Sequence, residues 1–199
     1  MRKYCKNLIG LKFLGEIMVK FEDLIGTFLK EYDIDIRVSK DMPQGYENAF
    51  GTFDHAKNTL FFNESLLKQK PWLGTFVIFH ELRHALQHLR KDLVGDDVTK
   101  YLDYVVLYNG DCFKQNGDGY LQTKICGDAE FLKNVYLSFP YELDANEFAL
   151  DKCKSILNKT DFEKLSDFYE RNLRPTKTIS KDKIEEITKS IDQNLKDKR

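Results

Sequence analysis

The chain lacks what would tie it to nucleic acid or to a membrane. Its formal charge is −1, so no basic field attracts polyanions or anionic lipid. No apolar run reaches the roughly 20 residues needed to cross a bilayer. Met1-Arg2-Lys3-Tyr4-Cys5 opens like a secretion signal, but Lys12, Glu16 and Lys20 interrupt every apolar run behind it. The expectation is a cytoplasmic protein. None of the four cysteines, Cys5, Cys112, Cys126 and Cys153, stands in C-x-x-C spacing, which leaves out zinc knuckles and dithiol redox motifs. Reduced thiols are expected, the alternative being a Cys112–Cys126 bridge across a Gly-rich loop. There is no internal repeat. Apolar content of 42% against 32% charged residues fits well-solvated helices and a charged tail. A chain of 199 residues has room for one domain with a real core, expected over residues 1–175, with 176–199 as a helical tail.

Against this plain background one stretch stands out, Val77 to His88. It contains His80-Glu81-x-x-His84. Residues four apart lie one turn apart on the same helix face, so both imidazoles can reach one ion. Glu81, about 100° round the helix, flanks that ion as a general base, taking a proton from an activated water and returning it to a leaving amine. Phe76, Phe79, Leu82, Leu86 and Leu89 recur at helical spacing and Pro71 suits a helix start. His88 is a tempting third ligand, but it lies about 12 Å along the axis from His80, too far for bonds of about 2 Å to a shared ion. It is left beside the ligands, facing substrate, or solvated.

Around that helix the pattern is mixed. Residues 11–32 carry an apolar stripe from Leu14 to Leu29 and read as a long amphipathic helix. Ile34 to Val38 alternates like a short strand. Residues 42–48 read as a loop. Residues 50–53 and 59–62 read as a hairpin whose second strand could offer an edge to an extended peptide. His55, in its turn, is expected in solvent. Asn63 can cap a short helix over 64–69. Asp96 or Asp97 can cap a helix running to Tyr108. Residues 110–127 read as a flexible loop, since Asn116-Gly-Asp-Gly119 lacks the acid spacing of a calcium loop. A short helix follows over 128–137. Thr160-Asp-Phe-Glu163 is a capping box opening a helix to Leu173. Beyond Pro175, Ile184, Ile187, Ile191 and Leu195 keep one narrow apolar stripe for docking on the body or on a partner. The fold class is α+β, mostly helical, with a small antiparallel or mixed sheet ahead of the metal helix.

The second informative stretch is Ser138 to Ala149. After Pro140, residues Glu142, Ala145, Asn146 and Ala149 share one face of a helix. The small residues let it approach another helix closely. Glu142 could then be the third ligand, with Asn146 orienting a ligand histidine. Asp144 and Glu147 face elsewhere.

Together, His80-Glu81-x-x-His84 and Glu142-x-x-Ala145-Asn146-x-Phe148-Ala149 resemble the ImmA/IrrE-type metallopeptidases of bacteria and their mobile elements, over roughly residues 15–157. The resemblance implies a zincin-like domain with one zinc ion per chain held by His80, His84 and Glu142, and Glu81 as general base. It implies an endopeptidase that cuts a specific protein partner, such as a repressor or regulator in a phage or mobile-element switch. The interval from His84 to Glu142 is long for that family, which makes residues 96–138 an expected insertion, and no helix-turn-helix marks a built-in DNA-binding half. Tyr141, His88 and Arg83 are the candidates for stabilising the oxyanion. The competing expectation is a non-catalytic zinc-containing regulator or inhibitor that acts by binding.

Overall fold

The computed structural model describes residues 21–117 and 119–196, so the first half of the expected 11–32 helix lies outside the described residues. Helix α1 (Phe21–Tyr32) buries Phe21, Ile25 and Phe28. Strands β1 (Arg37–Ser39), β2 (Gly51–Asp54) and β3 (Thr59–Phe62) form a mixed sheet in the order β1-β3-β2. β1 runs parallel to β3 and β2 antiparallel to it. The hairpin is where the residue pattern puts it, but its second strand is central and offers no edge. Of the two outer strands, β2 is the one that packs against α3. Phe50 O accepts from Asn63 N, and Thr52 faces Phe61 two residues on. By the alternation of an antiparallel ladder, the N–H and C=O of Gly51 and Phe53 therefore point away from β3.

Helix α2 (Glu64–Gln69) is capped by Asn63, whose side chain accepts from Leu66 N. Pro71 then opens the long helix α3 (Pro71–Leu89). Its face from Leu73 through Ile78, Leu82 and Leu86 is buried in a core shared with α1, the first sheet and α7; Leu89 is exposed at 41% and lies beyond that core. Gly51 lets β2 settle on α3, for a Cβ there would meet Val77 Cγ1 at 3.1 Å and Glu81 Cγ at 3.3 Å. Helix α6 (Pro140–Ile156) packs on α3, and the small residues Ala85 of α3 and Ala145 and Ala149 of α6 are all fully buried.

The interval between α3 and α6 is structured differently from its sequence pattern. A single 3₁₀ turn (Lys91–Leu93) leads to α4 (Asp96–Thr99), which stops after four residues instead of reaching Tyr108. β4 (Tyr104–Val106), β5 (Asp111–Asn116) and β6 (Gly119–Lys124) then make a second antiparallel sheet, β4 lying in the expected helix and β5 and β6 where a flexible loop was expected. Val98, Tyr101, Leu102 and Val105 fit a helical stripe, yet Tyr104-Val-Val106 is equally a β-branched strand, and pairing with Cys112–Lys114 decides it. Asn116 pairs with Gly119, so the connection is two residues that begin with Gly117, a hairpin signal, and Gly117 sits at φ 60°. Helix α5 (Ala129–Ser138) is capped by Asp128.

Helix α7 (Lys159–Asn172) is capped by Asn158, which accepts from Asp161 N, so the Thr160 box is not its start. Helix α8 (Lys181–Lys196) places Ile184, Ile187, Ile191 and Leu195 in a second core with Tyr104, Val106 and Cys112 of the second sheet. The tail docks on its own chain. Cys112, Cys126 and Cys153 are free thiols. Among the described residues no helix is long and apolar enough to cross a membrane. The fold is α+β, with eight α-helices and two small sheets among the described residues.

Candidate metal centre

The α3–α6 contact brings His80 and His84 against Glu142, which is only 6% exposed. His80 Nε2 lies 3.4 Å from Glu142 Oε2, His84 Nε2 lies 3.7 Å from Oε1, and the two Nε2 atoms are 3.0 Å apart. A tetrahedral ion with bonds of about 2.0–2.1 Å requires donor–donor edges of roughly 3.3–3.4 Å, so these three groups can hold one. Two imidazole nitrogens this close beside a buried carboxylate need a shared cation or a proton between them. Burial alone would raise the Glu142 pKa, but hydrogen bonding from His80, the charges of His84 and His80, and a hydrogen bond from Tyr136 hold it below the ordinary carboxylate value. Burial likewise opposes charge on His80, and the Glu142 hydrogen bond and charge outweigh it, so the His80 pKa is raised.

Glu81 stands outside the triad. Its Oε2 accepts from Phe53 N at 2.9 Å, which fastens the carboxylate to the free edge of β2. Asn146 is only 2% exposed and favours the charged form of His80 by hydrogen bonding. His80 Nδ1 is itself buried without a well-formed hydrogen bond.

No family model, curated protein or solved structure matches the chain.

The other candidates fall in different places. The Tyr141 hydroxyl accepts from Val106 N on β4, and its ring packs 6.2 Å from that of His84. Arg83 is engaged with Asp144 through two hydrogen bonds of 2.7 and 2.9 Å and lies over the Phe148 ring, so its guanidinium is committed away from a reacting carbonyl. His88 is not a ligand, and its ring is only partly exposed. Its ring stacks on His55 at 4.4 Å, with Phe53 nearby, and burial, then the charges of His55, His84 and Lys91, push its pKa down to about 3. His55 is not free in its turn either; its Nε2 hydrogen-bonds the Tyr120 hydroxyl at 2.7 Å. The second sheet thus reaches across to the first beside the end of α3.

Two residues of the site carry no sequence motif. Tyr136, half-buried on α5, hydrogen-bonds Glu142 and stacks on Tyr108 at 4.0 Å. Gln87, fully buried, sits 2.8 Å from His84 Nδ1. Gln87 follows His84 by three positions, on the stripe that carries both histidines, and that spacing was the available signal. Tyr136 left none, because its place depends on how α5 folds back.

Proposed function

We propose that the chain is a zinc-dependent endopeptidase that cuts a peptide bond in a specific protein partner. The observation that carries this reading is the placement of Glu81. A carboxylate beside three potential ligands, yet not one of them, and held at a strand edge, is what a hydrolytic site requires and a purely structural metal site does not. The donor set, two imidazoles and one carboxylate, suits zinc and leaves one position open. Bound zinc supplies a Lewis acid that makes water acidic near neutral pH and polarises a carbonyl.

The chain's own residues would do the rest. Gly51 C=O, Gly51 N–H and Phe53 C=O form an edge on which an extended peptide can pair by backbone hydrogen bonds. The scissile carbonyl is thereby laid along β2 above α3. Phe53 N–H orients the Glu81 carboxylate, which takes a proton from water at the site and passes it to the departing amine. Tyr136, whose hydroxyl donates to Glu142, helps keep that carboxylate charged and oriented as a ligand. The resemblance noted above makes a repressor or regulator the class of partner to test.

The experiment begins with zinc content by plasma mass spectrometry for wild type, His84→Ala and Glu142→Ala. Near one zinc per chain is expected in wild type and little in either variant. Wild type and Glu81→Gln are then incubated, zinc-loaded, with a proteome-derived peptide library, and new termini are mapped by mass spectrometry. Cleavage by wild type alone, with zinc retained in Glu81→Gln, is the expected result. Equal cleavage by both would overturn the role of Glu81, and zinc bound without cleavage by either would overturn the reading and leave a zinc-holding regulator.

A further inference from the structure

Gln87 is fully buried between α3 and α6, and both ends of its amide are used. Its Nε2 donates to Tyr141 O and to Asp144 Oδ2, each at 2.8 Å. Its Oε1 lies 2.8 Å from His84 Nδ1. The orientation of this amide is forced. A backbone carbonyl and a carboxylate only accept, so the NH₂ group must face them and the oxygen must face the histidine. An acceptor at that place requires the proton of His84 to sit on Nδ1. The lone pair is then on Nε2, the atom turned toward His80 and Glu142. Asp144 is in turn held by the two hydrogen bonds from Arg83. His80 is held less firmly: Asn146 supports its charged form by hydrogen bonding, but no well-formed bond reaches its Nδ1.

We propose that Gln87 is a positioning residue that fixes His84 in the tautomer and ring orientation needed for metal binding, with Asp144 and Arg83 fixing the amide of Gln87. This rests on the reading of His80, His84 and Glu142 as metal ligands. The site is therefore asymmetric. One histidine is set in advance by a chain of three side chains, and the other, with Asn146 near it, lacks a well-formed bond at Nδ1. Partners behind a ligand histidine are commonly worth about 10–100-fold in metal affinity.

Two readouts on the full chain test the assignment. In the metal-free wild type, long-range ¹H–¹⁵N correlation of the imidazoles should show His84 protonated at Nδ1. Gln87→Met keeps the volume and removes both hydrogen-bonding ends. It should lose that single tautomer and weaken zinc binding about 10–100-fold, measured by competition with a chromophoric chelator. A role confined to packing would lower the unfolding midpoint and leave tautomer and affinity alone, which would overturn the proposal. So would a wild-type His84 carrying its proton on Nε2. If Gln87→Met does not fold, Asp144→Asn on the half-exposed side of the chain serves instead. It should weaken zinc several-fold, and unchanged affinity would count against the assignment. The tautomer measurement needs no metal, so failure of zinc binding in wild type would overturn the metal centre separately from the state of His84.

Discussion

His88 is built into the protein as a neutral ring, and acid should expose this. Burial is the main reason its pKa falls to about 3, with positive charge at His55, His84 and Lys91 adding to it. In the unfolded chain the same ring takes a proton below about pH 6.5. The unfolded state then binds the extra proton, so stability is intact above about 6.5 and falls as pH drops toward 3. The slope is at most about 1.4 kcal/mol per pH unit, which gives about 2 kcal/mol at pH 5. The ring retains some solvent contact, which trims the figure to about 1–2 kcal/mol. The test is urea unfolding of wild type and His88→Gln at pH 7.5 and 5.0, with chelator present. Wild type should lose about 1–2 kcal/mol more than the variant between the two pH values. The His80–Glu142 pair titrates in both proteins and cancels in this comparison. Its signs differ: the raised His80 contributes below about pH 6.5 and is lost as pH rises through its folded pKa. The lowered Glu142 contributes above about pH 4.5 and is lost as pH falls through its own. Equal losses in wild type and His88→Gln would refute the reasoning.

Two further substitutions separate the site from its scaffold. Tyr136→Phe removes the hydroxyl that donates to Glu142 and should weaken zinc binding about 10–100-fold, read by competition with a chromophoric chelator. Leu82→Ala empties a fully buried position on the opposite face of α3 from the ligands and should cost about 2–5 kcal/mol. That loss is measured by chemical unfolding, while the folded protein at low temperature should keep its zinc affinity.

What local pattern controls was legible in the residues. The spacing of His80 and His84, Pro71 and Pro140 at helix starts, and the Asn63 cap are signals within one or two turns, and each element formed there. Glu142 was reachable because Ala145 and Ala149 mark a face that another helix can touch. The second sheet was not legible from the stripe of residues 98–108, since Tyr104-Val-Val106 suits both periods and only its partner β5 settles the matter. The edge was assigned to the wrong strand for a similar reason. Whether β3 is central depends on β1, more than twenty residues earlier, docking parallel to it. Tyr136, Gln87 and the His55–His88–Tyr120 contact have the same origin in long-range packing.

The dependence of the second core on α8 sets an order of events during synthesis. Strands β4 to β6 are complete once Lys124 has been made, but the isoleucines that cover them arrive only with residues 184–195. At about 5–20 residues per second, translation leaves that apolar face without the α8 part of its cover for roughly 4–14 s. The α3 half, whose sheet and helix have already been made, can collapse meanwhile. A nascent chain of this protein therefore presents a sticky β-surface for seconds on every round of synthesis, and holding it apart from its neighbours on a polysome falls to chaperones or to spacing.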